Sequence, residues 1–347
     1  MDIDFRTLLP LIFMAVMGLA LLAYVVLDGY DLGVGILLPL ATDAEKDIMV
    51  SSIGPFWDAN ETWLVLGIGV LLVAFPFAHG LVLSALYLPV ALMLLGLILR
   101  GVSFDFRVKA RAARKHMWNR LFAAGSMIAA VAQGWMLGSF LTGFDTGAWS
   151  LLFNAFIALT LPTAYAMLGA GWLIMKAWDD LQAKAVRWAR AVLWPMGLAL
   201  VGISLATPMV SQTVFDKWFA LPDFIGLLPI PVACAVAFFA AWHVLHRPRV
   251  IEAGYGWVVF ASTVLVFVLA FIGLAYSLYP YIVLDRLTVW EAASAHESLV
   301  VIFIGVAITL PVIIVYTIFM YRVFWGRATV LSYLPEPQDT ALPPARE

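Results

Sequence analysis

Two pairs of carboxylates stand at the borders of apolar runs. The first run ends with Asp28 and Asp31, and a later run begins with Asp58 and Glu61. Each pair is spaced i, i+3, so a helix would place both of its acids on one face. Carboxylates so close to hydrocarbon are costly and call for a partner or a function. The chemistry open to such groups is the binding and transfer of protons.

A third stretch supplies the opposite charge. A further apolar run closes with Arg100, and Asp105 follows it. When the three stretches lie at one membrane depth, the acids and the arginine form a charge-paired, partly hydrated cluster. That arrangement predicts a proton-uptake site. Ordinary helix capping with interfacial salt bridges explains the same residue pattern, and the sequence alone leaves both open.

The composition identifies the environment of these residues. Of 347 residues, 64% are hydrophobic and 12% charged, with a mean hydropathy of +0.97. Soluble domains have roughly half apolar and about a quarter charged residues. Soluble and disordered classes are therefore excluded, and the net charge of −2 gives no basic surface for nucleic acid. The chain is predicted to be an all-α polytopic membrane protein.

The apolar runs predict nine transmembrane helices. Their approximate bounds are 7–28, 55–78, 81–100, 121–141, 151–175, 191–210, 224–245, 256–279 and 298–320. Residues 63–99 could form one helix, but it would be about 55 Å long, almost twice the hydrocarbon thickness. The segment 75–80 contains a proline and a glycine that can break it. Eight helices is the alternative. We expect one membrane domain over 1–333 and a flexible cytoplasmic tail over 334–347.

The distribution of Lys and Arg predicts the orientation. Seventeen of the 20 fall on one side of the nine-helix arrangement, and the exceptions are Arg6, Lys217 and Arg286. The positive-inside rule then puts the N-terminus outside and the C-terminus in the cytoplasm. An eight-helix arrangement with the N-terminus inside scores equally, so helix length rather than charge favours nine.

The histidines and the single cysteine argue against a metal or haem held by this chain. Among five histidines, only His79 and His296 could share a membrane depth, at the outer ends of helices. A buried bis-histidine haem needs two ligands at one depth on facing helices. Cys234 lies in an apolar run and is expected to be a small buried hydrophobe. We therefore expect no ligated cofactor, no metal and no catalytic residue in this chain.

Several ordered motifs resemble a known family. They are 28–36, 52–64, 74–76 and 99–107, followed by 290–294, 310–319 and 324–327. Together they resemble subunit II of the cytochrome bd-type quinol oxidases, including the cyanide-insensitive branch, from about residue 7 to 327. The resemblance implies two four-helix bundles plus one peripheral helix. The departures from the family pattern are small. Phe is common at the position of Tyr30, Gly is common at the position of Ala59, and Glu also occurs at the position of Asp105.

The resemblance also implies partners and cofactors. A haem-bearing subunit I would ligate haems b558, b595 and d, and the complex would oxidise quinol and reduce dioxygen to water in a bacterial inner membrane. Small single-helix accessory subunits and membrane lipids are further implied partners, and a structural quinone or lipid is an implied ligand. Whether the quinol is ubiquinol or menaquinol is left open.

By the same resemblance, Asp28, Asp31 and Asp58 correspond to acids proposed to take up protons from the cytoplasm. Glu61 and Asp105 join this proton-transfer set. Asp58 is expected to be the most sensitive acid. Arg100 is the predicted charge partner, and two aromatic residues, Trp57 and Trp63, are candidates for subunit contact or gas access. A secondary transporter and a pure scaffold subunit are the alternative functions.

Overall fold

The computed structural model describes residues 5–221 and 223–328. Within these ranges, nine helices are long and apolar enough to cross a membrane, which confirms the predicted number. They are α1 (Phe5–Leu37), α3 (Trp57–Ala74), α4 (Pro76–Lys109), α5 (Ala112–Leu141), α6 (Ala148–Lys176), α7 (Asp179–Val210), α9 with α10 (Asp223–Leu227 and Pro229–Leu245), α12 (Trp257–Leu278) and α14 (His296–Val323). The predicted tail 334–347 and residues 1–4, 222 and 329–333 of the predicted domain lie outside the described residues.

Most helices extend further than the apolar runs predicted. Helix α1 continues to Leu37 instead of ending at 28, and α4 covers Pro76–Lys109 instead of 81–100. Hydropathy detects only the part of a helix in hydrocarbon, whereas the backbone hydrogen bonds continue through polar turns. Asp28 and Asp31 therefore lie inside α1, and the i, i+3 spacing does place them within one helix.

The break predicted near residue 75 is present. Helix α3 ends at Ala74 and α4 begins at Pro76, where proline suits a helix start because its missing N–H is not needed there. At the same end of the helices, the Ser294 N–H donates to the Ala74 carbonyl at 2.8 Å, and Phe75 is fully buried. Two short strands, β1 (Tyr281–Val283) and β2 (Leu287–Thr288), and α13 (Val289–Ala292) cover this end.

The spanning helices form two bundles. The first contains α1, α3, α4 and α5, the second contains α6, α7, α10 and α12, and α1 packs against α6 between them. Helix α14 lies at the periphery beside α1 and α3, with Leu299 as its one buried residue. Gly33 of α1 and Gly169 of α6 meet backbone to backbone, and a Cβ on either would overlap the other helix. The small residues thus let the two bundles approach closely.

A helix that the sequence did not predict lies between α1 and α3. Helix α2 (Asp43–Ile53) occupies part of the stretch 29–54, which lies between the first two predicted helices. It starts with a capping box in which Thr42 and Glu45 exchange hydrogen bonds. It lies at the end of the bundles that carries Arg107, Lys109 and Lys176, called here the basic end. Three short helices, α8 (Gln212–Phe219), α11 (Pro248–Val250) and a π-turn at Ile251–Tyr255, complete the connections.

Candidate functional site

Arg100 is the centre of a buried ionic cluster. Its Nη2 lies 2.6 Å from Asp28 Oδ1, and the same nitrogen donates to Glu61 Oε1. Arg100 and Asp28 are buried, and 28% of the Glu61 side chain is exposed. The three residues come from α4, α1 and α3. The structure thus brings together the arginine and two of the acids that the sequence placed at one depth.

Asp31, the second acid of α1, is held by an amide instead of a cation. The Nδ2 of Asn60 donates to Asp31 Oδ2 at 2.8 Å and to the Tyr30 hydroxyl at 2.9 Å. Asp31, Asn60 and Tyr30 are all buried. Asn60 comes from the first turn of α3, one residue before Glu61. Helix α3 therefore contacts Asp31 directly and is linked to Asp28 through Arg100.

A tyrosine from the peripheral helix joins the same group. The Tyr321 hydroxyl lies 2.7 Å from the Tyr30 hydroxyl and donates to Asn60 Oδ1 at 3.3 Å. Its ring stacks on Phe56 with the centroids 4.6 Å apart. The hydrogen bonds therefore run without interruption from α14 to Asp31.

A second polar line lies beside Asp28, deeper in the bundle. Gln133 of α5 donates to the Tyr24 hydroxyl at 2.8 Å and accepts from the Tyr165 hydroxyl at 2.5 Å. Tyr24 lies one helical turn from Asp28, and all three residues of this line are buried. The sequence analysis did not predict this line, because tyrosine in membrane proteins is typical of the interface. A glutamine in the middle of an apolar run was the available signal.

Several polar atoms of the cluster have no hydrogen bond of good geometry to a described residue. They are Asp31 Oδ1, Arg100 Nε, Arg100 Nη1 and Ser103 Oγ. Ser103 lies one turn from Arg100 on α4 and is fully buried. Buried polar atoms are normally satisfied by protein or by water. These four atoms are therefore the part of the cluster where an ordered water would find hydrogen-bond partners.

The remaining predicted acids lie at the surface. Asp58, in the first turn of α3, and Asp105, near the end of α4, are both exposed and make no ion pair with a described residue. The expectation that Asp58 sits inside the paired cluster is therefore wrong in its geometry. It occupies the turn before Glu61, on the exposed side of the helix.

The two aromatic candidates differ in environment. Trp57 is half-buried, and its ring packs against Phe104 with the centroids 5.1 Å apart. Trp63 is buried near Ala20 and Tyr24, and its indole nitrogen has no hydrogen-bond partner among the described residues.

A separate set of ion pairs fixes α2 at the basic end. Arg107 Nη2 donates to Asp47 at 2.7 Å, and Lys184 Nζ donates to Glu45 at 2.7 Å. Burial raises the pKa of Glu45, but hydrogen bonds from Lys184 and Thr42 outweigh it and hold that pKa below its ordinary value. Helix α2 is thus tied to α4 of the first bundle and to α7 of the second.

The histidines do not form a buried axial pair. His116, His243 and His246 are exposed, and His79 and His296 are half-buried. No group of three or more His, Cys, Asp or Glu residues in the described part of the chain could hold a metal ion. The buried polar cluster around Arg100 is built from carboxylates, tyrosines and amides.

Comparison with known proteins gives the family. The sequence profile of cytochrome bd terminal oxidase subunit II matches residues 9–324. This chain belongs to that family. The match covers every spanning helix described above, so the resemblance seen in the motifs extends over the whole membrane domain.

Two relatives and one solved structure illustrate the likeness. The chain is 26% identical to cytochrome bd-I ubiquinol oxidase subunit 2 of Escherichia coli K12, over 94% of this chain and 97% of the relative. It is 27% identical to cytochrome bd ubiquinol oxidase subunit 2 of Bacillus subtilis, over 87% and 92%. In fold, it is similar to a chain of the bd oxidase from Geobacillus thermodenitrificans, with a TM-score of 0.75 and 18% identity over 91% of this chain and 98% of that one.

Proposed function

We propose that this subunit supports a haem-bearing subunit I and delivers protons from the cytoplasm toward it. The complex would oxidise quinol and reduce dioxygen to water in the bacterial inner membrane. The family and the names of the relatives, which are ubiquinol oxidase subunits, support this assignment. The haems are proposed to be bound by the partner, since the five histidines here form no buried pair.

One observation carries the proton role: Arg100 holds carboxylates from two other helices inside the membrane domain. Helix capping explains acids near helix ends. It does not account for Asp28, which lies nine residues before the end of α1 and is fully buried. Burial of an ionic cluster at this depth is expensive, so a function is the stronger explanation.

The acids form a gradient of exposure from the surface to the interior. Asp58 is exposed, Glu61 is 28% exposed in its side chain, and Asp28 is buried. We assign proton collection to Asp58, with Asp105 as a second exposed collector on α4. Glu61 receives the proton one turn along α3. Arg100 contacts both Glu61 and Asp28 and so holds the two carboxylates close together. The proton then passes from Glu61 to Asp28, and Glu61 returns to its charged form beside the guanidinium.

The experiment that tests this role neutralises the buried end of the gradient. Glu61→Gln and Asp28→Asn keep the shape of each side chain and remove its ionisation. In the assembled complex we expect normal haem content, quinol-driven oxygen consumption reduced at least several-fold, and slowed proton uptake. Glu297→Gln, an exposed acid at the other end of α14, is the control and should leave turnover unchanged.

A scaffold role makes the opposite prediction. A scaffold subunit would tolerate both amide variants with unchanged turnover and proton uptake. Loss of haem in the variants would show that the acids are needed for assembly instead. Either result would remove proton delivery from this subunit.

A further inference from the structure

We propose that Tyr321 of the peripheral helix α14 is a positioning residue for Asp31, acting through Tyr30 and Asn60. The inference rests on the proposed proton role of the cluster and extends it to a helix outside both bundles. It starts from one geometric fact: three side chains close a ring of hydrogen bonds, and that ring contacts Asp31.

The ring has a single consistent direction. Asn60 Nδ2 donates to the Tyr30 hydroxyl at 2.9 Å, and the Tyr321 hydroxyl donates to Asn60 Oδ1 at 3.3 Å. A hydroxyl has one hydrogen to donate, so at the 2.7 Å contact between the two tyrosines Tyr30 is the donor and Tyr321 the acceptor. Every hydrogen of the ring is then used.

The ring fixes which end of the Asn60 amide faces Asp31. An amide has an acceptor end and a donor end, and a half-turn about its last torsion exchanges them. With Tyr321 donating to Oδ1, the Nδ2 end points to Asp31 Oδ2 at 2.8 Å. Without that donor, the amide is held only at its Nδ2 end, by Asp31, Tyr30 and the Leu27 carbonyl at 3.2 Å, and its Oδ1 end loses its hydrogen-bond partner. The Tyr321 hydroxyl therefore helps to hold the hydrogen-bond donor on Asp31.

The aromatic surroundings hold Tyr321 in this place. Its ring stacks on Phe56 at 4.6 Å, and Tyr30 stacks on Trp172 at 4.2 Å. Lys176 Nζ lies 5.0 Å from the Trp172 ring and donates to the Phe324 carbonyl at 2.7 Å, which fastens the end of α14. Most of α14 is exposed, so this junction is where the peripheral helix meets the polar interior.

Asp31 is surrounded by groups that respond to its charge. Asn60 of α3 donates to it. The groups that interact with it electrostatically are Asp28 and Tyr30 of α1, Glu61 of α3, Arg100 of α4 and Tyr321 of α14. The protonation of an acid in such a set depends on the charges and hydrogen bonds of its neighbours. Losing the fixed amide donor should therefore alter how turnover depends on pH.

Tyr321→Phe tests the hydroxyl while keeping the ring on Phe56. In the assembled complex we expect unchanged haem content, a changed pH profile and turnover lowered roughly two- to twelve-fold, the range set by one neutral hydrogen bond. Tyr316→Phe is the matched control, because Tyr316 is an exposed tyrosine on the same helix. It should leave both measurements unchanged.

The decisive measurement repeats Tyr321→Phe in an Asp31→Asn background. A residue that acts through Asp31 has no further effect there, so the double variant should match Asp31→Asn alone in rate and pH profile. Multiplying effects would overturn the inference. Full turnover in Asp31→Asn would overturn it, because Asp31 would then have no part in turnover, while the route through Glu61 and Asp28 would still be tested by their own variants. Reduced turnover in Asp31→Asn with an unaffected Tyr321→Phe would overturn the role of Tyr321 alone.

A second variant keeps the inference testable if the Tyr321→Phe complex does not assemble. If Tyr321→Phe loses haem, Tyr30→Phe interrupts the same ring from α1 while keeping its stack on Trp172. The same loss of turnover, absent in the Asp31→Asn background, supports the inference. Loss of haem in both variants would show that the ring is needed only for folding and would overturn it.

Discussion

The guanidinium of Arg100 lies 2.6 Å from the carboxylate of Asp28, and both side chains are buried inside the membrane domain. Removing one partner of a buried ion pair leaves an uncompensated charge, at a typical cost of about 3–5 kcal/mol. We predict that Arg100→Gln lowers the thermal stability of the assembled complex and its yield. Thermal unfolding in detergent, followed through haem absorbance, measures the change.

The compensating variant separates charge from shape. Asp28→Asn combined with Arg100→Gln removes both charges and should recover part of the stability lost in Arg100→Gln. Arg249→Gln, at an exposed position of α11, should have no measurable effect. If Arg100→Gln alone were as stable as the unchanged protein, the ion pair would not hold the three helices together.

Asp58→Asn tests the exposed end of the proposed route. We predict normal assembly, with quinol-driven oxygen consumption reduced at least several-fold and proton uptake slowed, because the amide cannot ionise. Asp180→Asn is the matched control, since Asp180 is also an exposed aspartate in the first turn of a spanning helix at the basic end. Equal, small effects of the two variants would assign Asp58 to helix capping.

The sequence predicted the helices and the buried acids but not the contacts between them. Nine spans, the break at Phe75 and the co-location of Asp28, Glu61 and Arg100 follow from hydropathy and from the depth of each residue. The extent of α1 beyond Asp28 did not follow. Asp28 is paired with Arg100 of α4, and Asp31 accepts a hydrogen bond from Asn60 of α3. Contacts between residues so far apart in the sequence cannot be inferred from the local residue pattern.

The sequence pattern also did not predict that Asp58 is exposed or that Tyr321 reaches the polar cluster. Helix α3 is apolar on nearly all sides, so its pattern does not reveal which face meets α1. Tyr321 and its partner Tyr30 are 291 residues apart. A tyrosine near the end of a membrane helix is typical of the interface, and only the packing of α14 distinguishes this one.

Membrane-impermeant thiol labelling tests the predicted orientation. In a background with Cys234 replaced by Ala, a cysteine at Ala44 of α2 should react only after the membrane is opened, because the basic end is expected to face the cytoplasm. A cysteine at Thr146, in the exposed loop between α5 and α6, should react in intact cells. Labelling of Ala44→Cys from outside would reverse the orientation.

The Glu45–Lys184 pair predicts a pH-dependent contribution to stability. Its hydrogen bonds hold the folded pKa of Glu45 below the ordinary value of 4.5, although burial opposes them. A depressed carboxylate pKa stabilises the fold above the ordinary value, and that stabilisation is lost as the pH falls through the folded pKa. Glu45→Gln should therefore lower the thermal stability at neutral pH, by at most about 1 kcal/mol.

The measurement compares thermal unfolding at several pH values. The difference between the unchanged protein and Glu45→Gln should be constant above pH 4.5 and shrink below it. Asp43→Asn, which removes an exposed acid in the same turn paired with Lys46, should have a smaller effect. A difference that grows on acidification would contradict the assigned pair.

The backbone contact between Gly33 and α6 predicts the largest effect of a single methyl group. A Cβ at Gly33 would overlap the Tyr165 carbonyl oxygen, which is backbone and cannot turn away as a side chain would. Overpacking of this kind costs about 1–3 kcal/mol, and α1 would have to move away from α6 to accept it. We predict that Gly33→Ala lowers thermal stability and yield.

Gly69→Ala is the matched control on α3, because nothing lies within 4 Å of its Cβ, and it should be neutral or slightly stabilising. If the two variants were equally stable, the two bundles would not be held at the distance that this glycine contact sets.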